Sequence, residues 1–154
     1  MTTQKTIARL CILSSCDRTD NSVGSARLRS GTPRNKSVEC EGLPFSDGIV
    51  AGNTLYVAGQ EGTDDSGKLI ARSIAAETTA ALENVKKVIK AAGFDLKDIV
   101  SVTVYLADIH EFGDMNQVYK SFLPDRKPAR ATIQAAALVN NARIEISAIA
   151  VMQK

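Results

Sequence analysis

Between Ile99 and Leu106 the chain alternates without a break: Val100, Val102, Val104 and Leu106 on one side, Ser101, Thr103 and Tyr105 on the other. A two-residue period of this kind suits a strand with one face in a core and the other outside it. Such a strand must pair with others, and its apolar face must be covered by a second layer.

The covering layer has its own period. Ile74, Thr78, Ala81, Val85, Val88 and Ala92 recur at three- and four-residue spacings, while Glu83, Lys86, Lys87 and Lys90 occupy other faces. This predicts a helix from about Ser73 to Ala92, capped by Gly93. Asp108 and Glu111 have the spacing of a capping box for a second helix, whose stripe is Phe112, Met115, Tyr119 and Phe122. Pro124 and Pro128 end it and hold the backbone extended before Arg130. Ile49-Val50 and Thr54-Leu55-Tyr56-Val57-Ala58 flank the tight turn Ala51-Gly52-Asn53. Gly59, Gly62 and Gly67, with Asp64-Asp65-Ser66, make a loop. Ala131 to Ala136 and Ile144 to Met152 supply the last two strands, joined by a loop at Val139-Asn140-Asn141. The order is β-β-α-β-α-β-β, an α+β class.

The 154 residues suffice for one domain. Residues 1–37 hold seven Lys or Arg against two acidic residues and show no sustained period, so they are expected to form a poorly ordered basic extension to a domain at 38–154. The domain itself carries twelve basic and fifteen acidic residues, which argues against a phosphate-backbone surface and hence a nucleic-acid partner. Cys11, Cys16 and Cys40 all lie in or beside the basic segment, so neither a disulfide framework nor a cysteine zinc site can hold the domain. No apolar run has the length of a membrane helix. Arg- and Ser-rich composition would suit an organelle transit segment, but Asp17 and Asp20 interrupt it. A cytoplasmic location is expected.

Several chemistries are excluded cheaply. His110 is the sole histidine, so no His-based triad or histidine pair can form within one chain, and its place beside Glu111 suits a surface or capping role. The glycines lack the Lys-Ser/Thr ending of a phosphate loop, and Asp64-Asp65 is turn chemistry rather than a metal site. Tyr105, Phe112, Tyr119 and Phe122 fall on faces expected to be core. Arg130 stands apart. Alternation sets Arg130, Thr132 and Gln134 opposite Ala131, Ile133 and Ala135. With the apolar side on the helices, the guanidinium would face solvent or another subunit. Its planar fork matches a carboxylate bidentately, although a plain surface arginine would fit the same pattern.

Lys127-Pro128-Ala129-Arg130-Ala131-Thr132-Ile133 and Ile144-Glu145-Ile146-Ser147-Ala148-Ile149-Ala150 belong together with three shorter runs, Leu43-Pro44-Phe45-Ser46, Tyr56-Val57-Ala58-Gly59-Gln60 and Asn116-Gln117-Val118-Tyr119. Over residues 38 to 152 the set resembles the RidA/YjgF family of enamine/imine deaminases. The resemblance implies a chorismate-mutase-like fold, assembled as a homotrimer with sheets inward, helices outside and ligand clefts between subunits. It implies hydrolysis of 2-imino or 2-enamino acids to 2-oxo acids and ammonia, without cofactor or metal. By the same resemblance Arg130 binds the substrate carboxylate and Glu145 helps hold the reacting water. Phe45, Ala58, Gly59, Asn116 and Thr132 line the pocket. Phe45 stands where the family commonly has tyrosine, Ala58 and Thr132 where it has serine and cysteine, and Ser147 where it has a second glutamate. Hydroxyl groups are thereby lost, which favours as an alternative a trimeric carboxylate-binding or regulatory protein without turnover. A ribonuclease, suggested by older family names, is opposed by the acidic domain and the single histidine.

Overall fold

The computed structural model describes residues 36–38, 44–70, 73–123 and 127–152. Cys11, Cys16, Cys40, Pro124 and all but the last two residues of the expected extension lie outside them. The strands are β1 (Lys36–Val38), β2 (Gly48–Ala51), β3 (Thr54–Glu61), β4 (Ile99–Leu106), β5 (Ala129–Gln134) and β6 (Ile144–Val151). Helix α1 (Ile74–Ala91) follows β3, and α2 (Phe112–Phe122) joins β4 to β5. The strands form one sheet in the order β1-β2-β3-β6-β4-β5. The α+β class holds, with one strand more than the pattern predicts. That strand, β1, pairs Lys36 with Val50 and Ser37 with Ile49, across the boundary read at residue 37. Three residues are too few to display a period.

The sheet is mixed. β4 and β5 run parallel, with α2 as the crossover that a parallel pair needs, and the remaining neighbours are antiparallel. β6 pairs β3 on one side and β4 on the other. Its Ile144, Ile146, Ala148 and Ala150 are buried against the helix layer, together with Leu55 and Val57 of β3 and Val102, Val104 and Leu106 of β4. Along β4 the inward set differs by one residue from the simple alternation. A register shift between Ile99 and Ser101 turns Ile99 into the core and leaves Val100 44% exposed. A bulge breaks parity, which no count of apolar positions can foresee.

Helix α1 begins where expected. The Ser73 hydroxyl accepts the Ala76 N–H at 3.2 Å, and Gly93 follows the helix at φ 82°, a left-handed conformation that glycine adopts without steric cost. Ile74, Thr78, Ala81, Val85 and Val88 are buried, as are Leu82 and Ile89. Glu77, which the apolar pattern passes over, is 2% exposed, and its Oε2 accepts the Arg143 N–H at 2.8 Å. Asn84 Nδ2 donates to the carbonyls of Glu61 (3.1 Å) and Thr63 (3.0 Å), pinning the segment after β3 to the helix.

The second helix departs from the expected capping box. Asp108 caps as predicted, accepting the His110 N–H at 2.9 Å. Glu111 does not return to Asp108; its carboxylate grips the Arg143 guanidinium, with Nε–Oε1 at 3.0 Å. A charge-assisted fork outweighs a single backbone N–H. A 3-10 turn, Ile109–Glu111, therefore precedes α2. His110 is exposed beside Asp108, in the surface role expected of it. Among the described residues no helix is long and apolar enough to cross a membrane.

Gly62, just after β3, lies close against the backbone of α1. A Cβ built there would lie 2.7 Å from Glu77 Cα and 2.9 Å from its carbonyl carbon. Backbone cannot yield as a flexible side chain does, so Gly62→Ala should cost about 1–3 kcal/mol, measured by urea unfolding. A change under about 0.5 kcal/mol, the range of an ordinary surface substitution, would mean that α1 slides away freely.

Candidate active site

Pro128 holds the chain extended into β5, and the strand pairs Arg130 with Val102 and Thr132 with Val104. Val102 and Val104 are core residues, so the Arg130 face of β5 is turned toward the helices, and Ala131 and Ile133 toward the open side. This reverses the expected facing while keeping the alternation. The cause lies on α2. Phe112, Asn116 and Tyr119 follow at four- and three-residue spacings on one helix face, and all three meet the guanidinium. Arg130 Nη2 donates to Asn116 Oδ1 at 2.7 Å. The Tyr119 ring centroid lies 4.5 Å from the guanidinium carbon and that of Phe112 5.6 Å. Gln134, on the same strand face, accepts the Ile109 N–H at 3.2 Å.

These contacts also correct the expected α2 stripe. Met115 is buried, but Phe112 is exposed and Tyr119 and Phe122 are half-buried. Arg130, rather than an aliphatic side chain, fills the space beside Phe112 and Tyr119. Among the described residues no carboxylate pairs with Arg130, a half-buried cation. Two hydroxyl oxygens of this layer, Tyr119 Oη and Thr132 Oγ1, are buried and have no hydrogen-bond partner among the described residues. Burial pushes the Tyr119 phenol up in pKa, against the opposing pull of the Arg130 charge.

Glu145 belongs to the other side of the sheet. It pairs Tyr105 on β4 and Glu61 on β3, and its half-buried side chain lies over the backbone of Gly59. A Cβ at Gly59 would overlap the Glu145 carboxylate, so a side chain there would push the end of Glu145 out of its present place. The strand irregularity between Val57 and Gln60 makes the same place a bulge. Ala58 is half-buried beside it, its N–H bonded to the Asp47 carbonyl at 2.8 Å. Phe45, in the segment before β2, is 52% exposed.

The sequence-derived site residues thus form two groups. Arg130, Asn116 and Thr132 meet on the helix side at the sheet edge. Ala58, Gly59 and Glu145 meet on the open side, near the sheet's middle. Sequence reasoning missed Phe112 and Tyr119 as partners of the guanidinium because both were assigned to core. Their register with Asn116 was the available signal.

A family model described as Endoribonuclease L-PSP matches residues 39–152. The rat protein named 2-iminobutanoate/2-iminopropanoate deaminase is 45% identical over 108 residues, 70% of this chain and 79% of its own. Among solved structures, the YjgF gene product of E. coli is 32% identical with a TM-score of 0.70, over 77% of this chain and 94% of that one. E. coli TdcF with bound serine is 32% identical with a TM-score of 0.69, over 71% and 89%. With the fold, the matched residues and these relatives in agreement, the chain belongs to the Endoribonuclease L-PSP family, that of YjgF and RidA.

Proposed function

We propose that this protein hydrolyses 2-imino acids and their enamine tautomers to 2-oxo acids and ammonia, in a site completed by a second copy of the chain. The observation that carries the reading is Arg130: a half-buried guanidinium held by Asn116 and two aromatic rings, with no carboxylate partner among the described residues. An arginine so placed is suited to an external carboxylate, which it binds bidentately. The relatives' deaminase name supplies the substrate class, and the bound serine of E. coli TdcF supports a ligand with a carboxylate.

The chemistry needs little more. A protonated imine is already electrophilic at C2. Water adds there, a proton passes from the added oxygen to nitrogen, and the C–N bond breaks with its electrons to release ammonia. The remaining hydroxyl proton leaves as C2 becomes the ketone carbon, so the products are a 2-oxo acid and ammonium. Arg130 fixes the carboxylate, Asn116 fixes Arg130, and Glu145 orients the water; the gain is proximity and orientation. Thr132 shares the strand face of Arg130, while Phe45, Ala58 and Gly59 form the opposing wall with Glu145. No cofactor enters this scheme.

The assembly is part of the proposal. Arg130 and Glu145 point to opposite sides of one sheet, so a site using both draws them from different subunits. The open side bears Tyr56, 51% exposed and paired with Ile149, and Ile133, 49% exposed on the edge strand. Apolar groups gathered on an uncovered face suit burial against like chains. A homotrimer, sheets inward, satisfies both requirements. The acidic balance of residues 38–154 weighs against RNA as substrate, and the absence of cysteine beyond Cys40 suits the cytoplasm. The loss of pocket hydroxyls at Phe45 and Ala58 favours, as second reading, a carboxylate binder without turnover.

Both readings are separated by an assay in which a dehydratase generates the imine and its loss is followed. Added protein should accelerate that loss. Arg130→Ala should abolish the acceleration with the oligomer intact, and Arg130→Lys should be severely impaired because an ammonium lacks the fork. Glu145→Gln should lower kcat more than it raises KM. Wild-type turnover by Arg130→Ala would remove the deaminase reading; 2-oxo acid binding without acceleration would establish the binder.

Light scattering should give three chain masses at micromolar concentration. Ile133→Asp, which sets a charge on the open face, should shift the protein toward monomers and abolish turnover together. A wild-type monomer with full activity would overturn the shared site.

A further inference from the structure

The two arginines that meet α2 and the turn before it are held in different ways. Arg143 is closed by the Glu111 carboxylate, which occupies its N–H edge. Arg130 has no anion among the described residues; its neighbours are one amide oxygen and two ring faces. A ring face stabilises a cation without consuming its N–H groups or neutralising its charge. The Tyr119 ring, at 4.5 Å, is the nearer. The ring is half-buried, and among the described residues its hydroxyl has no hydrogen-bond partner that would hold it for another purpose.

From these contacts we infer that Tyr119 is a positioning residue of the carboxylate clamp: its ring face holds the Arg130 guanidinium in the orientation that presents the fork to substrate. Asn116 fixes one nitrogen, and the ring fixes the plane that a four-torsion side chain would otherwise sample. The inference rests on the reading of Arg130 as the carboxylate site and adds the device that keeps it open. Replacing the ring therefore weakens substrate binding before it affects the chemical step.

The test compares Tyr119→Leu and Tyr119→Phe in the assembled protein, with KM and kcat from the imine assay and 2-oxobutanoate affinity from calorimetry. Tyr119→Leu should raise KM and the 2-oxobutanoate Kd about five- to tenfold, the size of a lost cation–π contact, with kcat changed less than about threefold. Tyr119→Phe, which restores the ring face, should recover most of that affinity. An unchanged KM in Tyr119→Leu, or equal loss in both variants, overturns the inference, the latter assigning the effect to the hydroxyl. Arg130→Ala run in parallel separates the two levels. If it abolishes turnover while Tyr119→Leu changes nothing, only the role of Tyr119 fails; if it retains turnover, the reading beneath fails. Should Tyr119→Leu not fold, the wild-type protein decides. The Tyr119 ring resonances, assigned by their loss in Tyr119→Phe, should shift with 2-oxobutanoate at the calorimetric Kd; no shift at saturation overturns the inference.

Discussion

Parity along the strands is the constraint on which the site depends. Side chains alternate across a pleated sheet, so residues an odd number apart on one strand face opposite ways. Arg130 is registered to Val102 and Glu145 to Tyr105, three positions further along β4. No rotamer brings a cation and a carboxylate around the sheet to one substrate. The fold therefore sets the two groups on opposite layers of each chain, one against a helix face and the other laid over a glycine, and on the proposed reading each is half of a site.

Polar contacts hold these layers at fixed spacing. The buried Glu77 carboxylate accepts the Arg143 N–H just before β6, and Asn84 ties the segment after β3 to α1. Each joins helix to sheet at a point where backbone would otherwise lie unsatisfied, and a buried polar group with a partner is far less costly than one without. Glu111 on Arg143 adds a third tie, from the turn before α2. The stripe that meets Arg130 is thus anchored at its N-terminal end, which limits how far the clamp can drift from β5.

Much of this was legible in the sequence, and the failures have physical causes. Both helices, the Gly52-Asn53 hairpin and the last strands follow from periodicity and turn chemistry. The inward residue at the start of β4 was missed because a bulge resets the alternation. The facing of β5 was reversed because its alternating residues are alanines, a threonine and one isoleucine, too weak a contrast to outweigh an arginine that finds aromatic partners. Glu77 was passed over and Phe112 misplaced for a shared reason: pattern reading sorts residues by polarity, whereas burial follows partners. Arg130, Asn116, Gly59 and Glu145 were singled out through a family resemblance, and spacing alone would not have separated them from surface residues.

The position of β6 has a consequence for synthesis. Among the described strands this one is made last, yet it lies between β3 and β4 and hydrogen-bonds to both. During synthesis β3 and β4 are made well before the neighbour that joins them. The β2–β3 hairpin and the β4–β5 pair then each present an open edge, and neither owns a complete core. Sheet closure waits for residue 151, so the nascent chain passes through a stage in which unpaired edges invite other chains. Long-range pairing of this kind also slows folding after release. The last strand to be made is the one that turns two fragments into a single cooperative unit.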